Sequence, residues 1–309
     1  MDNILCSVVV PMYNEEAVVC ETYKRLTGVM EKTGYTYEIV FVNDGSRDKT
    51  AALINEICDR DKRVKLIDFS RNFGHQIAIT AGMDYSSGQC VVVIDGDLQD
   101  PPELIPEMIE KWKSGFDVVY GKRISRKGET FFKKFTAAAY YRFLRSMTDV
   151  NIPVDTGDFR LIDRKVCDAL KQVRERNRYV RGLISWLGFR QTAIEFEREE
   201  RFAGETKYPL KKMLSFAWDG ITSFSVKPLE LLGVAGVAIT VGSLLISLYS
   251  ALAHLFGWSF RGWSALMGSL WFIAGMLLTA QGILGAYIGK IYAEVKDRPR
   301  YLVETILDE

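Results

Sequence analysis

The chain has 309 residues, 48% of them hydrophobic, and 40 Lys and Arg against 39 Asp and Glu give a formal charge of +1. That length admits one large domain or two ordinary ones, and the balanced charge gives no case for a nucleic-acid partner. Five scattered cysteines (Cys6, Cys20, Cys58, Cys90, Cys167) lack metal-type spacing and read as reduced thiols of a cytosol-facing domain, while two histidines, His75 and His254, give poor support to a His-built metal site or a Ser-His-Asp triad.

At the front, Asp2-Asn3 leads straight into a short apolar run, Leu5-Cys6-Ser7-Val8-Val9-Val10, with no basic start. It is expected to be a first strand and not a signal peptide. Apolar, β-rich runs at 5–12, 37–43, 64–69, 90–94 and 117–121 predict strands. Between them, helical spacing predicts helices at 15–32, 48–61, 75–86 and 102–113. Asn14 is placed to cap the first helix, and Pro102 suits a first helical turn. His75 reads as part of a helix start and is assigned no chemistry. This βαβα alternation predicts an α/β fold with a mostly parallel sheet. Neither GxGxxG after the first strand nor GxxxxGK[ST] is present, which argues against a dinucleotide-binding domain or a P-loop NTPase.

Further on the pattern is less regular, with a helix expected at 131–147 and strands at 157–163 and 191–201. Leu210, Met213, Leu214, Ala217, Ile221 and Phe224 then recur at helical spacing, as in an amphipathic helix on a membrane surface or one packed on the soluble domain. Residues 231–260 and 262–289 contain no Asp, Glu, Lys or Arg. Each run exceeds the roughly 20 residues that cross a bilayer, so a two-helix transmembrane hairpin is expected. Lys207, Lys211, Lys212 and Lys227 precede it, and Lys290, Lys296, Arg298 and Arg300 follow. The connection offers only Arg261, so both ends are expected on the cytoplasmic side. Gly282, Gly285 and Gly289 would allow close helix packing, within the hairpin or in a homo-oligomer.

Ligands of parallel sheets bind beyond the carboxyl ends of the strands. Three polar clusters are predicted there: Tyr13-Asn14-Glu15, Asn43-Asp44-Gly45-Ser46 and Asp95-Gly96-Asp97. Taken alone, an Asp-Gly-Asp is more often an acidic turn, and Asn-Asp-Gly-Ser is a strong turn signal. Two carboxylates with one spacer can also share a hard divalent cation that takes further oxygens from a phosphate.

The ordered set of these motifs carries a resemblance. It comprises Val8–Glu16, Val42-Asn43-Asp44-Gly45-Ser46, the segment from Asp95 to Glu103, Gly157-Asp158-Phe159-Arg160, and Arg201 to Tyr208. Together they resemble family 2 glycosyltransferases of the GT-A fold, and among these the polyprenyl-phosphate glycosyltransferases, the group of dolichol-phosphate mannose synthase and bacterial bactoprenol glucosyltransferases. The resemblance implies a cytosolic GT-A domain over 1–208, an amphipathic juxtamembrane helix over 209–228, two transmembrane helices over 229–291 and a cytosolic tail over 292–309. The location implied is the bacterial inner membrane.

It also implies roles. Pro11, Tyr13, Asn14, Glu15, Asp44, Gly45, Asp95, Arg123, Arg201 and Lys207 would bind substrate. Asp95, Asp97 and Gln99 would hold Mg²⁺ or Mn²⁺. Asp158, Arg160 and Asp97 would be catalytic. The implied reaction is inverting, metal-dependent transfer of a sugar from a nucleotide sugar to a polyprenyl phosphate such as undecaprenyl phosphate. UDP-glucose is the first expectation for the donor, with a UDP-N-acetylhexosamine, a UDP-linked modified arabinose or GDP-mannose as alternatives. A processive polysaccharide synthase would carry Gln-x-x-Arg-Trp and more spans, and neither is present. A non-catalytic sugar-nucleotide-binding membrane scaffold is the rival from another class.

Overall fold

A computed structural model of the chain describes residues 5–124, 156–176, 178–197, 227–255 and 263–307. The helix expected at 131–147, the amphipathic segment expected at 209–228 apart from its last two residues, and Arg201 and Lys207 lie outside them.

The first strands are β1 (Cys6–Met12), β2 (Tyr37–Asn43), β3 (Val64–Phe69) and β4 (Cys90–Val93). They alternate with α1 (Val19–Thr33), α2 (Thr50–Arg60) and α3 (His75–Tyr85). A 3₁₀ turn at Pro102–Leu104 leads into α4 (Ile105–Lys113). There follow β5 (Val118–Arg123), β6 (Thr156–Asp163), α5 (Arg164–Gln172), α6 (Val180–Trp186) and β7 (Gln191–Phe196). Last come α7 (Lys227–Leu255), α8 (Trp263–Val295) and β8 (Val303–Leu307).

All eight strands join one sheet in the order β7-β5-β6-β4-β1-β2-β3-β8. β4, β1, β2 and β3 are parallel, β6 runs antiparallel to β4 and β5, and β8 runs antiparallel to β3. Every residue of β1 and β2 is buried, the polar Ser7, Glu38 and Asn43 included, because helices cover both faces, and the remaining positions are largely apolar. On one face Val8, Val10 and Met12 pack with Leu26 and Met30 of α1 and Met108 of α4. On the other, α3 lies against β1 and β2. It approaches so closely that a Cβ at Gly82 would fall 2.1 Å from Val9 Cγ1. The strand order reverses between β1 and β4, the place where such sheets open a crevice.

Two sequence expectations need correction here. α1 begins at Val19, not at residue 15, and its N-cap is Val18. Asn14 instead sits in a left-handed conformation (φ 53°) and uses its side-chain oxygen to accept from the Arg47 N–H at 2.8 Å. Its side chain thus holds the β2–α2 loop, and α1 has no side-chain cap. The expected separate tail over 292–309 is also revised, since Val303–Leu307 is the edge strand of the sheet. All five cysteines are free thiols, and four of them are buried.

α7 and α8 belong to a second compact unit, whereas Arg298–Glu309 groups with the sheet. The span Phe272–Val295 is long and apolar enough to cross a membrane, and Pro228–Ser243 is a shorter apolar stretch. Large apolar side chains stand exposed on both helices, among them Val234, Ile246, Phe272 and Leu278. A Cβ at Gly282, Gly285 or Gly289 would meet no described atom within 4 Å.

Candidate active site

The carboxyl ends of β1, β2 and β3 enclose a pocket of about 390 Å³, lined by Tyr13, Gly45, Phe69, Arg71, Asn72 and Glu304 among others. Backbone and side-chain bonds tie its loops together. Asn14 N–H donates to Ser46 Oγ (2.9 Å), Glu15 N–H to Thr50 Oγ1 (2.9 Å) and Glu16 N–H to Asp48 Oδ2 (3.2 Å). Asp44 is buried, and its carboxylate accepts from Asn72 Nδ2 (2.9 Å), Phe73 N–H (2.7 Å) and Gly74 N–H (3.0 Å). Asp44 therefore shapes the β3–α3 loop that walls the pocket. Burial raises its pKa, against the pull of the Phe73 and Gly74 N–H groups. Gly45 has φ +65°, and its Cα faces the Arg71–Asn72 peptide so closely that no side chain fits. Pro11 is buried in β1 opposite Val42, and Tyr13 is half exposed on the pocket wall.

Beyond β4 lie the acidic residues. Asp97 is buried, and its Oδ1 accepts from the Gln99 N–H at 3.2 Å. The Leu98 between them has φ 58°, a left-handed conformation that costs a leucine roughly 1–2 kcal/mol. Strain of this kind clusters at functional sites.

β6 brings the next group. Its register with β5 slips: Lys122 faces Thr156, where unbroken pairing would set it opposite Asp158. The slip frees Gly157-Asp158 from the ladder. His75, the first residue of α3, bridges the two acidic regions: its Nε2 is 3.3 Å from Asp95 Oδ1 and 3.3 Å from Asp158 Oδ2. Gln76 Nε2 donates to Asp158 Oδ2 at 2.9 Å, and its Oε1 accepts from Val180 N–H at 2.9 Å. That link carries α6, whose Arg181 Nε lies 3.1 Å from Asp158 Oδ1.

The electrostatics follow. Partial burial opposes charging of His75, but its contacts with Asp158 and Asp95 outweigh this and lift its pKa to about 10. Burial works to raise the Asp158 pKa, yet His75, Arg181 and Arg160 hold it well below the usual carboxylate range. At neutral pH the centre is an ionised carboxylate between cations.

Arg160 is itself buried, its pKa drawn down to about 10 by burial, and its guanidinium donates to Gly157 O at 2.9 Å. It supports the bulge that presents Asp158. Arg123 Nη2 is 3.5 Å from Asp100 Oδ1 and lies over Gly157, where an added Cβ would meet it at 2.6 Å.

Among the described residues no group of three or more His, Cys, Asp or Glu side chains is arranged to hold a metal ion. Asp95 Oδ1 is nevertheless buried and accepts no hydrogen bond; a cationic His75 faces it. Asp95 and Asp97 offer hard oxygen donors at one strand end. Such a pair fits Mg²⁺ or Mn²⁺ when substrate phosphates and water complete the shell.

Residues 7–171 match the model of Glycosyl transferase family 2. The chain belongs to glycosyltransferase family 2. It is 58% identical over 303 residues, covering 98% of this chain and 94% of the relative, to the uncharacterized glycosyltransferase YkcC of Bacillus subtilis. A 46% identical relative, covered to 95% with 97% of this chain, is the uncharacterized glycosyltransferase sll0501 of Synechocystis. The SfII prophage-derived bactoprenol glucosyl transferase of Shigella flexneri is 40% identical over 96% of this chain and 97% of its own length. The protein is a glycosyltransferase with a GT-A-like α/β fold.

His75, Gln76 and Arg181, which the sequence reading did not assign to the site, surround Asp158 in the structure. The local signal for the first two is Gly74-His75-Gln76 directly beyond β3, at the ligand-binding edge. Arg181 lies on a short helix over 100 residues from Gln76, and no local pattern marks it.

Proposed function

We propose that the protein transfers a sugar from a nucleotide sugar, with UDP-glucose as the first candidate, to the phosphate of a membrane polyprenyl phosphate. One observation carries the reading: Asp95, just beyond β4, and Asp158 of β6 converge on His75, which follows the 72–74 loop that Asp44 ties to a pocket of about 390 Å³. Relatives named bactoprenol glucosyl transferase that align over nearly the whole chain support the lipid acceptor and the glucosyl donor.

In this reading the nucleoside lies in the pocket and the diphosphate points toward β4. Asp95 and Asp97, with Gln99 beside them, would hold Mg²⁺ or Mn²⁺. The ion's contribution is Lewis-acid neutralisation of the departing nucleoside diphosphate. His75 and Gln76 fix the Asp158 carboxylate, and Arg181 holds its other oxygen. A lipid monophosphate, with a second pKa near ~6, is largely a dianion at neutral pH and already nucleophilic. Asp158 then orients the acceptor and the arginines without removing a proton. Displacement in one step inverts the anomeric centre and leaves no glycosyl-enzyme. Arg201 and Lys207 would add positive charge near the phosphates.

Connectivity supports an even number of membrane crossings. β3 precedes α7 and β8 follows α8, yet the two strands pair. Both ends of the α7–α8 segment thus belong on one side of a bilayer, and a lone span through α8 would separate β8 from β3. At ~1.5 Å per residue, the 29 residues of α7 reach about 43 Å, more than the ~30 Å hydrocarbon core. A hairpin of two spans, with the catalytic domain and both ends cytoplasmic, satisfies the pairing. It also tethers the catalytic domain to the membrane that holds the acceptor.

Incubation of detergent-purified protein with Mg²⁺ or Mn²⁺, undecaprenyl phosphate and a panel of radiolabelled nucleotide sugars tests the proposal. Label is expected in the organic phase, abolished by EDTA and by Asp97→Ala. Nucleotide binding without transfer from any donor would favour the scaffold reading.

A further inference from the structure

The family match ends at residue 171, yet one wall of the pocket comes from residue 304. β8 pairs with β3 in regular antiparallel register at Leu307–Leu66, Ile306–Ile67 and Thr305–Asp68. Unbroken pairing would next set Glu304 opposite Phe69, but Val303 takes that place. Glu304 is therefore the extra residue of a β-bulge, a device that re-aims a side chain and recurs beside active sites.

The segment around the bulge is tied down. Tyr301 stacks on Phe69 with ring centroids 5.3 Å apart and donates its hydroxyl to Asp84 Oδ2 at 3.1 Å. Ser70 N–H donates to Leu302 O at 3.1 Å. The Arg300 guanidinium donates to the Val173 carbonyl. Within the pocket the other carboxylate, Asp68, accepts from Asn43 Nδ2 at 2.6 Å. Among the described residues nothing hydrogen-bonds or ion-pairs with Glu304, which is solvent-exposed. A carboxylate can only accept, so at the pocket wall Glu304, solvated by water, is free to take a donor from a ligand that enters.

We infer that Glu304 is a donor-substrate-binding residue, supplied by the strand that follows the last membrane helix, and that it accepts a hydrogen bond from the nucleoside of a nucleoside diphosphate sugar. The donating group is a ribose hydroxyl or a base N–H. The inference rests on the pocket being the nucleotide site. It makes the C-terminal strand part of nucleotide discrimination.

The test is calorimetric titration of the full-length wild type, Glu304→Gln and Glu304→Ala with UDP, 2′-deoxy-UDP and GDP, with kcat and KM measured alongside. Loss of one hydrogen bond to a charged group predicts a Kd about tenfold weaker for the preferred nucleotide in Glu304→Ala. KM for the acceptor should stay unchanged. The wild-type margin between nucleotides should narrow in both variants, which mere loosening of the strand would not produce. A margin lost between UDP and 2′-deoxy-UDP assigns the ribose; one lost between UDP and GDP assigns the base. Wild-type nucleotide affinity and margins in both variants would overturn the inference alone. A wild-type protein that binds no nucleotide would overturn it together with the functional reading.

Discussion

Replacement of Gly45 by Ala tests how tightly the pocket is built. Gly45 has φ +65°, and an alanine Cβ would lie 2.3 Å from Arg71 C, 2.5 Å from Asn72 N and 2.8 Å from Arg71 Cα. These are backbone atoms, so no rotamer change relieves them. An ordinary carbon contact needs ~3.5 Å, so the 71–72 peptide must retreat by about 1.2 Å. That motion pulls on Phe73 N–H and Gly74 N–H, which Asp44 holds at 2.7 and 3.0 Å. Hydrogen bonds to a charged group contribute about 1.5–3 kcal/mol each, and a left-handed alanine costs roughly 1–2 kcal/mol. Loss of about one such bond together with the conformational cost gives roughly 2.5–5 kcal/mol, within the ~5–15 kcal/mol that keeps a domain folded.

Titration with UDP and thermal melting would measure both consequences. The variant should remain folded, with Tm lower by about 4 °C or more. Its affinity for UDP should fall roughly 10- to 100-fold, because Arg71 and Asn72 line the pocket. Gly34→Ala is the control. Gly34 has φ +69° but open space around it, so that variant bears only the conformational cost and should bind UDP like the wild type. If Gly45→Ala also bound UDP within twofold of the wild type, the close approach of the two loops would not govern the site.

Three more outcomes are expected. His75→Ala should lower kcat roughly 10- to 100-fold while metal-free UDP affinity stays near wild type, since His75 holds the two carboxylates and not the pocket; an unchanged kcat would remove it from the site. Asp158→Asn should lower kcat and leave the pH–rate profile with the same limbs if Asp158 orients, whereas loss of the basic limb would make it a general base. Arg63, through bonds of 2.9 and 2.8 Å, holds the Asp61 pKa below its ordinary value. A depressed carboxylate contributes stability above its unfolded value of about 3.9 and loses it as pH falls through the folded one. Urea melts should therefore show the wild-type advantage over Asp61→Asn at pH 7 and its shrinkage below pH 4; a constant difference would refute the linkage.

Much of the fold was legible because strands buried on both faces are mostly apolar, with buried polar residues such as Glu38 satisfied by hydrogen bonds from Ser7 and Ser87. β1, β2 and β3 stand where the apolar runs of the sequence predict them, and Asp44, Asp95 and Asp97 follow strands as expected. Helix starts were less legible. The periodicity of α1 extends back to residue 15, but residues 14–16 bond to the 46–50 loop instead of a helical turn.

The sequence by itself determined the parallel core, the acidic strand ends and the apolar segments that follow. Each depends on local spacing, which side-chain alternation and solvent preference fix without reference to distant residues. Tertiary structure alone decided what meets at those ends. The register slip of β6 releases Asp158, and His75 and Arg181 converge on it from separate elements. The bulge of β8 turns Glu304 into a pocket built by the first half of the chain. A bulge changes one residue's direction by shifting pairing with another strand. No periodicity within a single segment records that shift.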